Sequence, residues 1–277
     1  METRYPHHPD QVKRMTTTEL RDNFLIGGLF AADRLTLVYS HIDRMIVGGA
    51  MPVTGAIRLE ADRHELAADY FLARREVGII NVGGIGTVTV DGAAYELATR
   101  DGLYIGRGAQ DVTFAAADGD HPAQFYLLSA PAHTTYPTAK LTLQDANTIH
   151  LGDTHNSNVR TIYQYIHPGG APSCQLVMGM TLLEPGSMWN TMPAHTHARR
   201  MEVYFYFDVA PGNVVFHLMG EPQETRHLVV RDREAVISPS WSIHAGMGTV
   251  NYGFIWGMAG ENQDFDDMDM VAIPNLR

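Results

Sequence analysis

One pattern of short strand-forming runs occurs twice in this chain, about 125 residues apart, and it limits the fold more than any other feature. Ala73-Arg-Arg-Glu-Val77 precedes an apolar run, and Ala198-Arg-Arg-Met-Glu-Val203 does the same. Each copy is followed by a hairpin containing Gly and then by a similar downstream run, Asp101-Gly-Leu-Tyr-Ile-Gly106 in the first and Glu234-Ala-Val-Ile-Ser-Pro239 in the second. Within the first copy, Gly86–Val90 and Ala93–Leu97 flank Asp91-Gly92, a hairpin turn signal. Within the second, Val203–Val209, Asn213–Met219, His227–Val230, Ala235–Ser238 and Tyr252–Trp256 are further strand candidates. Strands of this length with turns every 8–12 residues or so predict an all-β sandwich or barrel. The repeat predicts two such barrels in tandem, residues 1–140 and 141–277, joined within Pro131–Asp153. One short helix is expected over Thr16–Asn23, capped by Thr17 or Thr18.

The 277 residues are 45% apolar and 18% charged, enough core for one large or two ordinary domains and too little charge for disorder. The net charge is −11, and no basic stripe interrupts the acidic surface, so nucleic acid is not the expected partner. A single cysteine, Cys174, excludes an internal disulfide and a cysteine-only metal site, and reads as a small core residue. Met1–Asp10 carries Pro and His where a signal peptide needs an apolar run, and Leu25–Ala32 is far shorter than the ~20 residues that span a bilayer. The expectation is a soluble cytoplasmic protein with no membrane partner. Gly83-Gly84-Ile-Gly86 lacks both the third glycine and the following helix of a dinucleotide fingerprint.

The segment that carries chemistry is Pro193-Ala-His195-Thr-His197-Ala-Arg-Arg-Met-Glu202. On a strand, residues two apart share a face, so both imidazoles can reach one ion. Glu202 is five residues beyond His197, an odd interval, so a bend or bulge within Ala198–Met201 must turn it to the same side. His244, in Pro239-Ser-Trp-Ser-Ile-His244, supplies a fourth ligand. Three imidazoles and one carboxylate suit a divalent Zn, Fe, Mn or Ni ion, one per chain.

The His-x-His-x4-Glu and Pro-x4-His spacings resemble the two motifs of the cupin superfamily, although Trp241 stands where the second motif usually has Gly. The chain is more closely similar to the 5-keto-4-deoxyuronate isomerase family. That resemblance rests on Arg199-Arg-Met-Glu-Val-Tyr-Phe-Tyr-Phe207, Glu224-Thr-Arg-His227, Ser238-Pro-Ser-Trp-Ser-Ile-His244, Phe254-Ile-Trp-Gly-Met258, Gly260-Glu-Asn-Gln263 and Phe265-Asp-Asp-Met-Asp269. Tyr39-Ser-His-Ile-Asp-Arg44 and Ala132-His-Thr-Thr-Tyr-Pro137 extend it into the first half. It covers nearly the whole chain and is loosest at the extreme N-terminus and from Thr54 to Asp69. The resemblance implies two cupin-type jelly-roll barrels (a bicupin), a homohexamer, and metal ligands at His195, His197, Glu202 and His244. In the first copy Glu76 aligns with Glu202 and Asp111 stands where His244 would be, but there is no His-x-His, so the metal is expected in the second barrel alone.

The activity implied is an aldose–ketose isomerisation that interconverts 5-dehydro-4-deoxy-D-glucuronate and 3-deoxy-D-glycero-2,5-hexodiulosonate in pectin and uronate breakdown. A Lewis-acidic ion would stabilise the enediolate. Zn suits a reaction without electron transfer. Glu224 and Tyr206 are candidates for the base. The substrate is a small anionic sugar acid, which the net charge does not attract, so Arg199, Arg200 and Arg226 are candidates to hold its carboxylate. A 5-deoxyglucuronate-type isomerase, an Fe-dependent cupin dioxygenase and a non-catalytic sugar-binding cupin remain open as alternatives.

Overall fold

The turn at Asp91-Gly92 forms as its residues dictate. Both take left-handed φ values, 48° and 87°, and so join Gly86–Val90 to Ala93–Leu97 with a twist that matches the strands. The computed structural model describes residues 1–277, and local rules of this kind place most of its strands. It divides into two compact units, each built from a seven-stranded and a four-stranded sheet.

In the first unit the larger sheet runs Glu2–Arg4, Arg34–Ser40, Ile46–Met51, Phe125–Pro131, Arg75–Asn81, Gly102–Ile105, Ala139–Leu141. The smaller runs Ile57–Arg58, Val112–Ala116, Gly86–Val90, Ala93–Leu97. In the second unit the larger sheet runs Asn147–Leu151, Arg160–Ile166, Val177–Leu183, Gly253–Gly260, Arg200–Phe207, Ala235–Ser238, Leu25–Ile26. The smaller runs Trp189–Asn190, Ala245–Gly248, Val215–Glu221, Glu224–Val230. The central strands follow one order in both units, so the echo in the sequence is a repeated architecture. The chain is all-β with few short helices, in the bicupin form. None of its helices is long and apolar enough to cross a membrane.

The interiors differ. The first is filled by Val77, Ile79, Val88, Phe114, Phe125 and their neighbours, all buried. The strand Arg200–Phe207 instead carries Glu202, Tyr204 and Tyr206 on one face, all buried. The second barrel holds a cavity lined by apolar side chains together with a cluster of polar ones.

The boundary between the units departs from the expected division at residue 140. Tyr5–Gly27 group with the second unit, and Tyr165–Met178 with the first. The first exchange follows from pairing: Leu25–Ile26 adds to the edge of Ala235–Ser238, and the Arg226 guanidinium donates to the carbonyls of Val12, Lys13 and Met15. The second follows from a buried carboxylate. Glu76, fully buried, accepts from the backbone N–H groups of Cys174, Gln175 and Leu176 at 2.7–2.9 Å and from the Tyr104 hydroxyl at 2.8 Å. Such a group is costly to bury unless its oxygens are fully engaged, and here they are. The helix expected near Thr16 spans Thr17–Phe24, and its cap is Thr16, because Glu19 three residues on closes a capping box with it.

Candidate metal centre

The strand His195–Thr196 pairs with Asp269–Met270 and ends in a turn, closed by the bond from the Arg200 N–H to the His197 carbonyl. Arg200–Phe207 then begins. This turn does what the odd spacing requires and brings Glu202 back beside the two imidazoles. His244 arrives from the loop before Ala245–Gly248. The donor atoms of His195, His197, Glu202 and His244 all lie within 4.8 Å of one another, and all four residues are buried.

The Nδ1 of His197 donates to the Asp267 carbonyl at 2.7 Å, an oxygen that can only accept, which turns Nε2 towards the cluster. Arg200 approaches the same Nδ1 at 3.2 Å but donates to the Asp267 carbonyl at 3.0 Å instead. The His197 Nε2 lies 3.1 Å from Glu202 Oε2. The Nδ1 of His244 is 3.2 Å from the Ser238 hydroxyl, and its Nε2 is 3.0 Å from both Glu202 Oε2 and His195 Nε2. Burial, followed by the neighbouring His244, pushes the proton affinity of His195 down to about 3. Burial would raise the Glu202 carboxyl, but His244 and His197 outweigh it and hold the group well below the usual carboxylate range. The arrangement is thus three imidazole nitrogens and one carboxylate oxygen converging on one point, the nearest pairs about 3.0 Å apart. A cation about 2.0–2.2 Å from each would bridge such donors, so the residues present fit a divalent ion.

The cluster opens into a pocket of about 170 Å³. Arg160, Asn190, Thr181, Tyr204, Trp256 and Met258 are among the residues that line it. Trp256 is fixed by its indole N–H to Thr181 Oγ1 at 3.1 Å and by Gly179, where any Cβ would overlap the indole. Tyr204 stacks on Phe254 at 4.9 Å, and burial raises its hydroxyl well above the ordinary tyrosine value. Arg160 is half-buried. One of its Nη atoms donates to the Asn158 carbonyl at 2.9 Å, while Nε is buried with no partner. No carboxylate lies within ion-pair distance of it, and burial lowers its proton affinity.

The remaining residues picked from the sequence take other positions. Arg199 clamps Asp267 and Asp269 at the surface. Arg200 is buried behind His197 and holds the Asp264 and Asp267 carbonyls, outside the pocket lining. Arg226 is spent on the N-terminal carbonyls already described. Glu224 is exposed at the end of its hairpin with Val215–Glu221, away from the pocket. Tyr206 lies deeper, its hydroxyl 2.7 Å from His217 Nδ1. Glu224, Tyr206 and Arg226 therefore do not reach a molecule in the pocket, which corrects the expectation placed on them. In the first unit Glu76 turns to the face opposite Val77 and Ile79, and Asp111 is a surface partner of Arg58. Arg160 and Tyr204 line the pocket, and spacing alone did not select them. The signal for Arg160 was available, a lone charge in the apolar run Arg-Thr-Ile-Tyr-Gln-Tyr-Ile166, two residues before the inward-facing Ile162.

The profile of the KduI/IolB family matches residues 27–273. A protein of Lachnoclostridium phytofermentans named 4-deoxy-L-threo-5-hexosulose-uronate ketol-isomerase is 58% identical over 100% of both chains. Proteins of the same name from Edwardsiella ictaluri and Caldicellulosiruptor bescii are 58% and 54% identical, again over 100% of both chains. Among solved structures, an IolB-like protein from Salmonella typhimurium superposes with a TM-score of 0.72 at 14% identity, covering 90% of this chain and 97% of that one. An oxalate decarboxylase from Bacillus subtilis gives 0.57 at 11% identity, with 83% and 71% covered, and shares the fold. The chain belongs to the KduI/IolB family.

Proposed function

We propose that this chain is a 4-deoxy-L-threo-5-hexosulose-uronate ketol-isomerase, converting 5-dehydro-4-deoxy-D-glucuronate to 3-deoxy-D-glycero-2,5-hexodiulosonate in uronate catabolism. Full-length relatives of that name support the reaction. The observation that carries the mechanism is one pocket lined by His195, His197 and Glu202 of the four-donor cluster and by an arginine without a counter-ion. His195, His197, Glu202 and His244 would hold a divalent ion, Zn in this reading, which supplies Lewis acidity for an oxyanion when bound.

The chain's own residues do the rest. Arg160 presents Nε and its free Nη as one edge of a planar fork, suited to the substrate carboxylate. Phe254, Trp256, Met258 and Phe265 shield the reacting carbons from water. Tyr204 lines the pocket with its phenol kept protonated, so it can donate to whichever oxygen gains charge and pass a proton between the neighbouring oxygens. Glu202 has too little proton affinity for a good base and suits a ligand. Arg200 positions His197 through the shared Asp267 carbonyl. The reading includes a cytoplasmic location, and a homohexamer that rests on family resemblance.

The test combines elemental analysis of the purified protein with an NMR assay on the deoxy-keto-uronate. About one Zn per chain with formation of the 2,5-diulosonate is the expected result. Oxygen consumption, or binding without turnover, would overturn it in favour of a dioxygenase or a sensor.

A further inference from the structure

We propose that the mouth of the first barrel is a second ligand site, which binds the carboxylate of a small hydroxy acid on Arg75 and its hydroxyls on Glu65. The site is independent of the metal centre and of the reaction proposed for it. A cavity of about 310 Å³ opens there, lined by Tyr39, Arg44, Glu65, Phe71, Arg74 and Arg75 among others. Arg75 begins the strand Arg75–Asn81 and shares the inward face with Val77 and Ile79. In the second barrel the residue at the same register is Arg200, the first of its central strand, which is turned to the Asp264 and Asp267 carbonyls, whereas Arg75 lines a cavity.

The Arg75 side chain is held rather than free. Its Nε donates to Ser129 Oγ at 3.0 Å, and one Nη donates to the carbonyls of Ser129 and Arg44 at 2.7 and 2.5 Å. The Tyr39 ring lies 5.9 Å from the guanidinium carbon. The other Nη has no protein acceptor. No carboxylate comes within ion-pair distance: Glu76 points to the opposite face and is engaged by Tyr104 and three backbone N–H groups. The residue is only 6% exposed, and burial lowers its proton affinity to about 10, so the charge is held at a cost. Arg74 spends its hydrogen bonds on the Leu66 and Ala67 carbonyls and Arg44 has no ion pair, so neither is neutralised.

The lining selects the ligand class. Three guanidinium groups against one carboxylate favour an anion. Glu65 accepts from Thr3 Oγ1 at 2.8 Å, is half-buried, and opposes a second negative charge while able to accept from hydroxyl groups. Tyr39 and Phe71 offer apolar faces to a carbon skeleton. A singly charged carboxylate with several hydroxyl groups meets all three conditions.

The probe is sodium D-galacturonate, titrated calorimetrically into the full-length protein carrying Arg160→Met, which removes the anion anchor of the second barrel. One saturable site per chain is expected below about 10 mM, weakened at least about tenfold by Arg75→Lys and by Arg44→Gln. Glu65→Gln should weaken galacturonate but leave acetate, which has no hydroxyl groups, unchanged. Arg44 is exposed and Glu65 is half-buried at the cavity edge outside the barrel core, so these two variants decide the matter even if Arg75→Lys fails to fold. Absence of a saturable site, or affinity unmoved by Arg44→Gln and Glu65→Gln, overturns the proposal. Sulfate binding as tightly as galacturonate overturns the assignment to a hydroxy acid.

Discussion

Replacing Arg160 with Met tests the proposed anchor and separates binding from folding. The free guanidinium edge, Nε and one Nη, offers two charge-assisted hydrogen bonds to a carboxylate. Each contributes about 1.5–3 kcal/mol when one partner is charged, less what solvent returns, so the pair together is taken as about 2–4 kcal/mol. At 1.4 kcal/mol per factor of ten, kcat/KM should fall roughly 30- to 700-fold. Most of the loss should appear in KM, because the carboxylate is held alike in ground and transition states. The fold should hardly notice. The substitution removes a single hydrogen bond, to the Asn158 carbonyl, and replaces a guanidinium that has no counter-ion with an apolar chain of similar length. Tm should therefore stay within about 3 °C of the parent. Arg160→Lys keeps the charge but loses the fork and should fall between the two. The assay is steady-state conversion of the deoxy-keto-uronate alongside calorimetric melting. Activity within about threefold of the parent refutes the anchor, and so does a loss matched by a large fall in Tm, which would make Arg160 a structural residue.

His244→Ala should lose the bound ion by elemental analysis and with it the isomerisation, while circular dichroism still reports a folded chain; activity in metal-free protein would remove the mechanism. Arg200→Met should weaken metal affinity about 10- to 100-fold in a chelator competition without touching the pocket lining, because the His197 ring loses its fixed backing. Glu76→Gln should lower stability by about 2–4 kcal/mol in denaturant melts, since an amide replaces a carboxylate that four donors surround, with metal content unchanged. Metal-free protein should become less stable as the pH falls from about 6.5 towards 3. His195 and His217, both lowered to about 3 chiefly by burial, bind fewer protons folded than unfolded in that window, so stability rises with pH there. Below the ordinary carboxylate range Glu202 adds to the loss, because its folded proton affinity is depressed. A flat Tm across that range would contradict these burial effects.

The candidate metal ligands were legible in the sequence as a cluster because their spacing is a local property. His195 and His197 lie two apart, and Glu202 follows a turn whose necessity its odd interval announced. The proposed anion anchor was not legible in the same way. Arg199, Arg200 and Arg226 are near the motif in sequence, but the first two hold the 264–269 segment and the third holds the N-terminal carbonyls. Arg160 reaches the pocket from a strand some forty residues away in sequence, and only sheet order reveals that. Glu224 and Tyr206 show the limit of period-2 reasoning, which gives a face of a strand but not depth or exposure along it. The internal repeat revealed two barrels but not where they divide, because edge strands and buried carboxylates recruit partners without regard to chain order.

That exchange of segments governs how the chain matures on the ribosome. The first barrel cannot engage Glu76 until residues 174–176 have emerged, and Leu25–Ile26, synthesised early, must wait for Ala235–Ser238 before its edge is paired. Cutting the gene at codon 140 would therefore yield two halves, one with an unsatisfied buried carboxylate and the other with an unpaired sheet edge. A single unit for biophysical work needs its borrowed segments carried with it, residues 165–178 for the first and 5–27 for the second.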